Sequence, residues 1–144
     1  MDRILIDSDV ILDFFFDRIP FSEHAAQVLS MSEDKKIHCF ITPVICSNVY
    51  YLLRRNAGNI FVIEKLSQLL SIVDILTMDK EVVLNALKSE FSDFEDALQN
   101  STAELSGDID YILTRNLKDY KHSRLKVLSP SEYLKIKLIN PNTD

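Results

Sequence analysis

Residues 3–17 read Arg-Ile-Leu-Ile-Asp-Ser-Asp-Val-Ile-Leu-Asp-Phe-Phe-Phe-Asp. The apolar run from Ile4 to Ile6 has branched aliphatics and no polar alternation, and it stops abruptly on Asp7 and Asp9. Such a run reads as a strand covered on both faces, the kind found in parallel sheets. In open α/β sheets, ligands bind outside the carboxyl ends of the strands. Asp7 therefore stands where an α/β protein does chemistry. An acid at the end of a buried strand has few structural duties, which makes Asp7 the strongest candidate in the chain.

Outward from that stretch, apolar spacing alternates between strand-like and helix-like. Val10 to Asp17 reads as a short buried helix, broken where Pro20 biases Ile19 away from helical backbone. Phe21 opens a second helix, with Ala25, Val28 and Leu29 on one face, running to about Asp34. A second strand follows at 37–42. Thr42-Pro43 signals a helix start, a hydroxyl cap followed by proline, and Gly58 is placed to supply a left-handed cap at the end of that helix. A further helix at 60–70 leads to a third strand at 73–76. Asp79 caps the next helix, and Ser92 to Asp96 opens another that stops at Gly107. Strands at 109–113 and 126–128 flank a short basic helix or turn at 117–123, and Ser129-Pro130 starts a terminal helix. Helices between successive strands imply right-handed crossovers. The expectation is one domain over 1–144, a three-layer α/β/α architecture with a central, mostly parallel sheet of four to five strands.

Composition agrees with this class. The chain is 47% hydrophobic, with two glycines and four prolines in 144 residues, unlike a disordered or loop-dominated sequence. No apolar stretch reaches the roughly 18 residues a spanning helix needs, and Met1-Asp2-Arg3 leads straight into a strand, so neither membrane insertion nor a signal peptide is expected. Cys39 and Cys46 lie in apolar surroundings with no histidine at ligand spacing. They read as free thiols in a reducing cytoplasm. The net charge of −6 is uneven. Residues 74–110 hold ten acids and two bases, whereas 115–144 hold seven bases and three acids. A globally acidic protein is not an obvious nucleic-acid binder. An acidic centre neutralised by metal beside a basic segment is a different matter.

Three acidic segments can reach one end of such a sheet: Asp7 with Asp9, Asp93 to Asp96, and Asn116 with Asp119. Crowded carboxylates repel and need a cation or protons. Oxygen donors suit Mg²⁺ or Mn²⁺, which leave room for water and phosphate. Each group also has a plainer reading. Asp93 reads equally well as a helix cap, Glu95 as a first-turn carboxylate favoured by the helix dipole, Asp79 as a cap, and Asp13 and Asp17 as a solvated helix edge. Asp96 follows Asp7 in the ranking, because it precedes an alanine-rich helix face.

Ile-Leu-Ile-Asp-Ser-Asp-Val-Ile-Leu-Asp (4–13), Asp-Phe-Glu-Asp-Ala-Leu-Gln (93–99) with Ala103, and Tyr-Ile-Leu-Thr-Arg-Asn-Leu-Lys-Asp-Tyr (111–120) together resemble PIN domains. Pro20-Phe21 and the closing Leu-Ser-Pro-Ser-Glu-Tyr-Leu (128–134) extend the resemblance over nearly the whole chain. PIN domains are metal-dependent ribonucleases, many of them toxins of bacterial toxin–antitoxin pairs. The resemblance implies a Mg²⁺- or Mn²⁺-dependent ribonuclease leaving a 5′-phosphate and a 3′-hydroxyl, an antitoxin partner and a homodimer. It makes Asp7 and Asp96 the metal ligands, with Asp93 accompanying them. Two further positions that are acidic in the family carry amides, Asn48 and Asn116. An amide oxygen coordinates a hard cation but adds no charge, so weaker metal affinity is implied, with Asp9 or Asp119 as support. Arg115, Lys118, Lys121 and Arg124 would meet the RNA backbone, or else form a solvated basic face. One alternative is a PIN fold kept as an RNA- or protein-binding module. A second, ranked lower, is a haloacid-dehalogenase-type phosphatase built on Asp7-Ser8-Asp9, for which Gly107-Asp108-Ile109-Asp110 is a poor second acidic motif.

Overall fold

Five short strands pair in parallel, in the order β3-β2-β1-β4-β5, among the residues 1–139 that this computed structural model describes. They are β1 (Arg3–Ile6), β2 (His38–Ile41), β3 (Asp74–Ile75), β4 (Tyr111–Leu113) and β5 (Lys126–Leu128). The last five residues of the expected 1–144 unit lie outside the described residues. Ile4, Leu5 and Ile6 are wholly buried, as are Ile112 and Leu113 on β4 beside them. That is why β1 reads as an unbroken apolar run. The register sets Leu5 against Phe40 on one side and Ile112 on the other.

Among the described residues, seven α-helices flank the sheet: α1 (Ser8–Phe15), α2 (Phe21–Glu33), α3 (Pro43–Arg54), α4 (Asn59–Leu69), α5 (Lys80–Lys88), α6 (Phe94–Ser106) and α7 (Pro130–Ile139). The crossings β1 to β2 to β3 run one way along the sheet, and the crossing from β3 to β4 runs back. Right-handed connections therefore put helices on both faces, the three-layer α/β/α arrangement. The reversal falls beside β1, so the carboxyl ends of β1 and β4 frame the crevice where such sheets bind ligands. Most buried apolar side chains form one core around the sheet; Val82, Ala86, Ala97 and Leu98 form a smaller one where α5 packs on α6.

Local signals explain most helix ends. The Thr42 hydroxyl accepts from the Ile45 amide at 3.1 Å and donates to Gln99 Oε1 at 2.5 Å, so the start of α3 is tied to the middle of α6. Asp79 and Asp93 cap α5 and α6. Ser129 and Glu132 exchange backbone–side-chain hydrogen bonds at the start of α7, a capping box. Gly107 ends α6 at φ 81°, where a side chain would be strained. The sequence reading fails at Gly58. Helix α3 ends at Arg54, and Gly58 has φ −71° and serves as the residue before α4. The intervening turn is held instead by Arg54 Nη1 donating to the Ala57 carbonyl at 2.8 Å.

Candidate functional site

Helix α1 begins at Ser8, directly after β1, and Asp7 is its N-cap, with its Oδ1 accepting from the Ser8 amide at 2.8 Å. The expectation that an acid in this place has few structural duties is qualified by this cap. Starting the helix at Val10 hid the cap. Its other oxygen, Oδ2, accepts from the Thr114 hydroxyl at 2.9 Å and the Tyr120 hydroxyl at 3.3 Å. Thr114 sits just past β4, fully buried, so the two neighbouring strand ends meet through this contact. Asp7 is itself only 6% exposed. Burial, then the nearby Asp9 charge, raises its pKa to about 6, against the pull of the three donors.

Asp9 faces the same strand end from the first turn of α1. Its Oδ2 accepts from the Arg115 amide at 3.0 Å and lies 3.3 Å from the Thr114 hydroxyl; its Oδ1 is buried without a partner. A phosphatase acid two residues after a nucleophile must be turned toward the phosphate. Asp9 is instead engaged by the Thr114 hydroxyl and the Arg115 amide, which weighs against that reading. Asp13 is not on a solvated helix edge either. It is 1% exposed and forms a two-pronged pair with Arg115, Nε to Oδ2 at 2.6 Å and Nη2 to Oδ1 at 2.9 Å, with Arg18 at 3.5 Å. The Arg115 guanidinium also lies 3.9 Å from the centre of the Phe21 ring. Arg115 is thus engaged in bracing the β4 loop against α1 and α2. That leaves Lys118, Lys121 and Arg124, all exposed, as the cations open to a phosphate backbone.

Helix α6 aims its N-terminus at the same place. Asp93 caps it, Oδ1 accepting from the Asp96 amide at 3.0 Å. Asp96, half-buried, has its pKa raised to about 7 by desolvation and by the charges of Asp7, Asp93 and Asp119, in that order. Tyr120, 2% exposed, stands between them; burial and the charges of Asp7 and Asp96 push its hydroxyl well above the usual tyrosine range, so it stays a donor. Asn48 lies on α3, and its Nδ2 donates to Glu95 Oε2 at 3.0 Å, so this amide brings a carboxylate with it. Asn116 is exposed, its backbone amide bonded to the Thr114 hydroxyl at 3.1 Å. Asp119 is exposed in the 3-10 turn Leu117–Tyr120.

Sequence reasoning missed three residues, Thr114, Tyr120 and Asp13. The hydroxyl just past β4 was a readable signal for Thr114. Nothing local marks the partnership of Asp13 with a residue 102 positions away.

Two carboxylates on different elements, Asp7 and Asp96, thus carry raised pKa values and, among the described residues, no cationic partner. Among the described residues, no three His, Cys, Asp or Glu side chains close around one point. The donors are all oxygens and their charge is uncompensated. They fit a hard cation that takes one or two carboxylates and completes its shell with water and phosphate, as Mg²⁺ does. They do not form an all-protein cage.

The model of the PIN domain family matches residues 3–118. The chain belongs to the PIN-domain family. Members are typically nucleases that use divalent metal ions. No curated protein matches the sequence. The fold is similar to that of a toxin–antitoxin complex from Klebsiella pneumoniae (22% identity, 88% of this chain and 97% of that one, TM-score 0.67). It is also similar to VapBC2 from Rickettsia felis, bound to a DNA fragment from its promoter (14%, 88% and 97%, 0.66). VapBC-1 from nontypeable Haemophilus influenzae is a third match (12%, 90% and 98%, 0.67). No helix among the described residues is long and apolar enough to cross a membrane.

Proposed function

We propose that this chain is a metal-dependent endoribonuclease acting on single-stranded RNA in the cytoplasm, and that it is the toxin of a toxin–antitoxin pair. The observation that carries the reading is that Asp7, at the carboxyl end of β1, and Asp96, in the first turn of α6, face each other's charge beside the Tyr120 hydroxyl, with pKa values raised to about 6 and 7 and no cation paired with either among the described residues. Asp7 and Asp96 would hold Mg²⁺ or Mn²⁺, with Asp93 assisting through its charge on Asp96. A divalent ion there supplies charge stabilisation on a phosphodiester and a more acidic water. Asp7 is oriented for this by the Ser8 amide and the Thr114 and Tyr120 hydroxyls, and Tyr120 keeps its proton. Asn116 and Asn48 present amide groups that orient water or phosphate, and Lys118, Lys121 and Arg124 meet the backbone of the substrate. The solved neighbours include toxin–antitoxin complexes, which supports an antitoxin as protein partner.

One observation favours a second reading. Amides at Asn48 and Asn116, with no three-acid cluster among the described residues, suit a PIN fold that binds RNA or protein without cutting. Incubating purified protein with single-stranded RNA, with and without Mn²⁺, separates the two. Cleavage that needs the metal and disappears in Asp7→Asn and Asp96→Asn supports the nuclease. Cleavage surviving both changes, or none at all at millimolar metal, sinks it.

A further inference from the structure

A cleft of about 530 Å³ opens between the end of α5, the second half of α6 and residues 121–125. That volume suits a ligand of nucleotide size. Its lining includes Lys88, Phe91, Asn100, Ser101, His122 and Arg124. Asn100 lies one helical turn beyond Asp96 on the same side of α6, roughly 6 Å away. A second path leads to the same place. Tyr120, whose hydroxyl rests on Asp7, meets Phe91 edge-on at 5.7 Å between ring centres, and Phe91 meets His122 at 6.5 Å. The cleft is therefore the next stop for a chain threaded across Asp7 and Asp96.

Its lining balances two bases, Lys88 and Arg124, against two acids, Glu90 and Glu104, but it is the acids that are engaged by neighbouring groups. The Glu104 carboxylate accepts from Asn100 Nδ2 at 3.1 Å and the Arg124 amide at 2.9 Å, and Glu90 pairs with His122 at 3.4 Å. The Lys88 ammonium and the Arg124 guanidinium have no ion-pair partner among the described residues. The polar wall is tied in by hydrogen bonds. Asn100 and Ser101 are buried, Asn100 Oδ1 accepting from Ser123 Oγ at 2.5 Å and Ser101 Oγ from Asn85 Nδ2 at 3.0 Å. Aromatic faces, free cations and a hydrogen-bonding wall together are what a single-stranded nucleotide requires, since stacking is tolerant of sequence and the cations track the phosphates. An acidic peptide would use the cations and leave the rings idle.

We propose that this cleft binds the nucleotide next to the scissile one, its base against Phe91 and His122 and its phosphate met by Lys88 and Arg124. The inference rests on the single-stranded RNA reading above. Its test uses Asp96→Asn protein, expected to hold RNA without cutting it, and a labelled eight-nucleotide single-stranded RNA read by fluorescence anisotropy. An abasic position is moved along the RNA. One position is expected to weaken binding about ten-fold, Phe91→Leu to weaken it about as much, and the two together no further. Lys88→Ala with Arg124→Ala should lower the slope of log affinity against log salt by about 0.7, the share of one phosphate, and Lys65→Ala on α4 should leave it unchanged. Should Phe91→Leu melt well below its parent, His122→Ala takes its place. An abasic penalty undiminished by the ring substitution, together with an unchanged salt slope, overturns the proposal. So does displacement of the RNA by a polyglutamate peptide that depends on the cations and not on Phe91. Metal-dependent cleavage by the unaltered chain is measured alongside. Cleavage without any cleft dependence sinks the cleft alone, and cleft-dependent binding without cleavage sinks the nuclease alone.

Discussion

Asp7 caps α1 through one oxygen and offers the other to Thr114 and Tyr120, so substitutions there separate structure from chemistry only if the cap survives. Asparagine caps about as well as aspartate, and its neutral amide removes a charge that burial disfavours. Asp7→Asn should therefore melt at or above the parent temperature in metal-free buffer while cleavage falls at least ~10²-fold, the scale of losing one charge-stabilising group. Calorimetry and a cleavage assay on the same preparation check both; a lower melting temperature would mean that the charge itself holds the fold. Asp93 allows a similar separation. Its plainer role as a cap and its proposed role beside the metal differ in charge alone. Asp93→Ala should cost about 1 kcal/mol of stability and Asp93→Asn almost none. If Asp93 assists the metal, Asp93→Asn also raises the Mn²⁺ concentration needed for half-maximal cleavage. A metal titration unchanged in that variant would leave Asp93 a cap and nothing more.

At the level of elements, the site depends on how the β4 loop is held. Asp13 on α1 and Arg115 past β4 form a nearly closed pair under Phe21. Removing one member of a buried pair strands the other charge, at a typical cost of about 3–5 kcal/mol. Because Arg18 stays near Asp13 and Arg115 is partly exposed, Arg115→Ala should cost less, about 2–3 kcal/mol. Replacing both charges, Asp13→Leu with Arg115→Met, should recover most of it. Urea unfolding of the three variants decides; a double variant as unstable as the single would show that packing, not the stranded charge, dominates. This bracket also marks where sequence reading stops. Strand ends, caps at Thr42, Asp79 and Asp93, and the stop at Gly107 are local patterns, legible because backbone and neighbouring side chains determine them. The pair of Asp13 and Arg115 joins residues 102 positions apart, and an acid at four-residue spacing from Asp9 looks the same on a solvated edge as in a buried bracket. Gly58 failed for a related reason: a glycine after a helix suggests a left-handed cap, but here an arginine side chain closes the turn.

Over the whole molecule, acids gather where the topology converges, and the fold bears an electrostatic cost that protons or a cation can relieve. The folded pKa values of Asp7 and Asp96, about 6 and 7, lie above the ordinary aspartate value of 3.8. Between roughly pH 4 and 7 these two groups therefore bind more protons in the folded chain than in the unfolded one. Stability then falls as pH rises through that window, because the slope follows protons bound unfolded minus protons bound folded. The penalty is absent below the unfolded pKa and complete above the folded values. After allowance for solvent screening at half-exposed Asp96, metal-free protein should be about 1–2 kcal/mol more stable at pH 5.5 than at pH 8, or roughly 3–8 °C in Tm. Millimolar Mg²⁺ or Mn²⁺ should raise Tm at pH 8 far more than at pH 5.5, since the ion competes with protons for the same oxygens. Asp96→Asn should flatten both dependences, which ties them to this site and not to the surface acids. A metal-free protein whose Tm rises from pH 5.5 to 8, with no metal response at either pH, would mean that Asp7 and Asp96 neither repel each other nor share a cation.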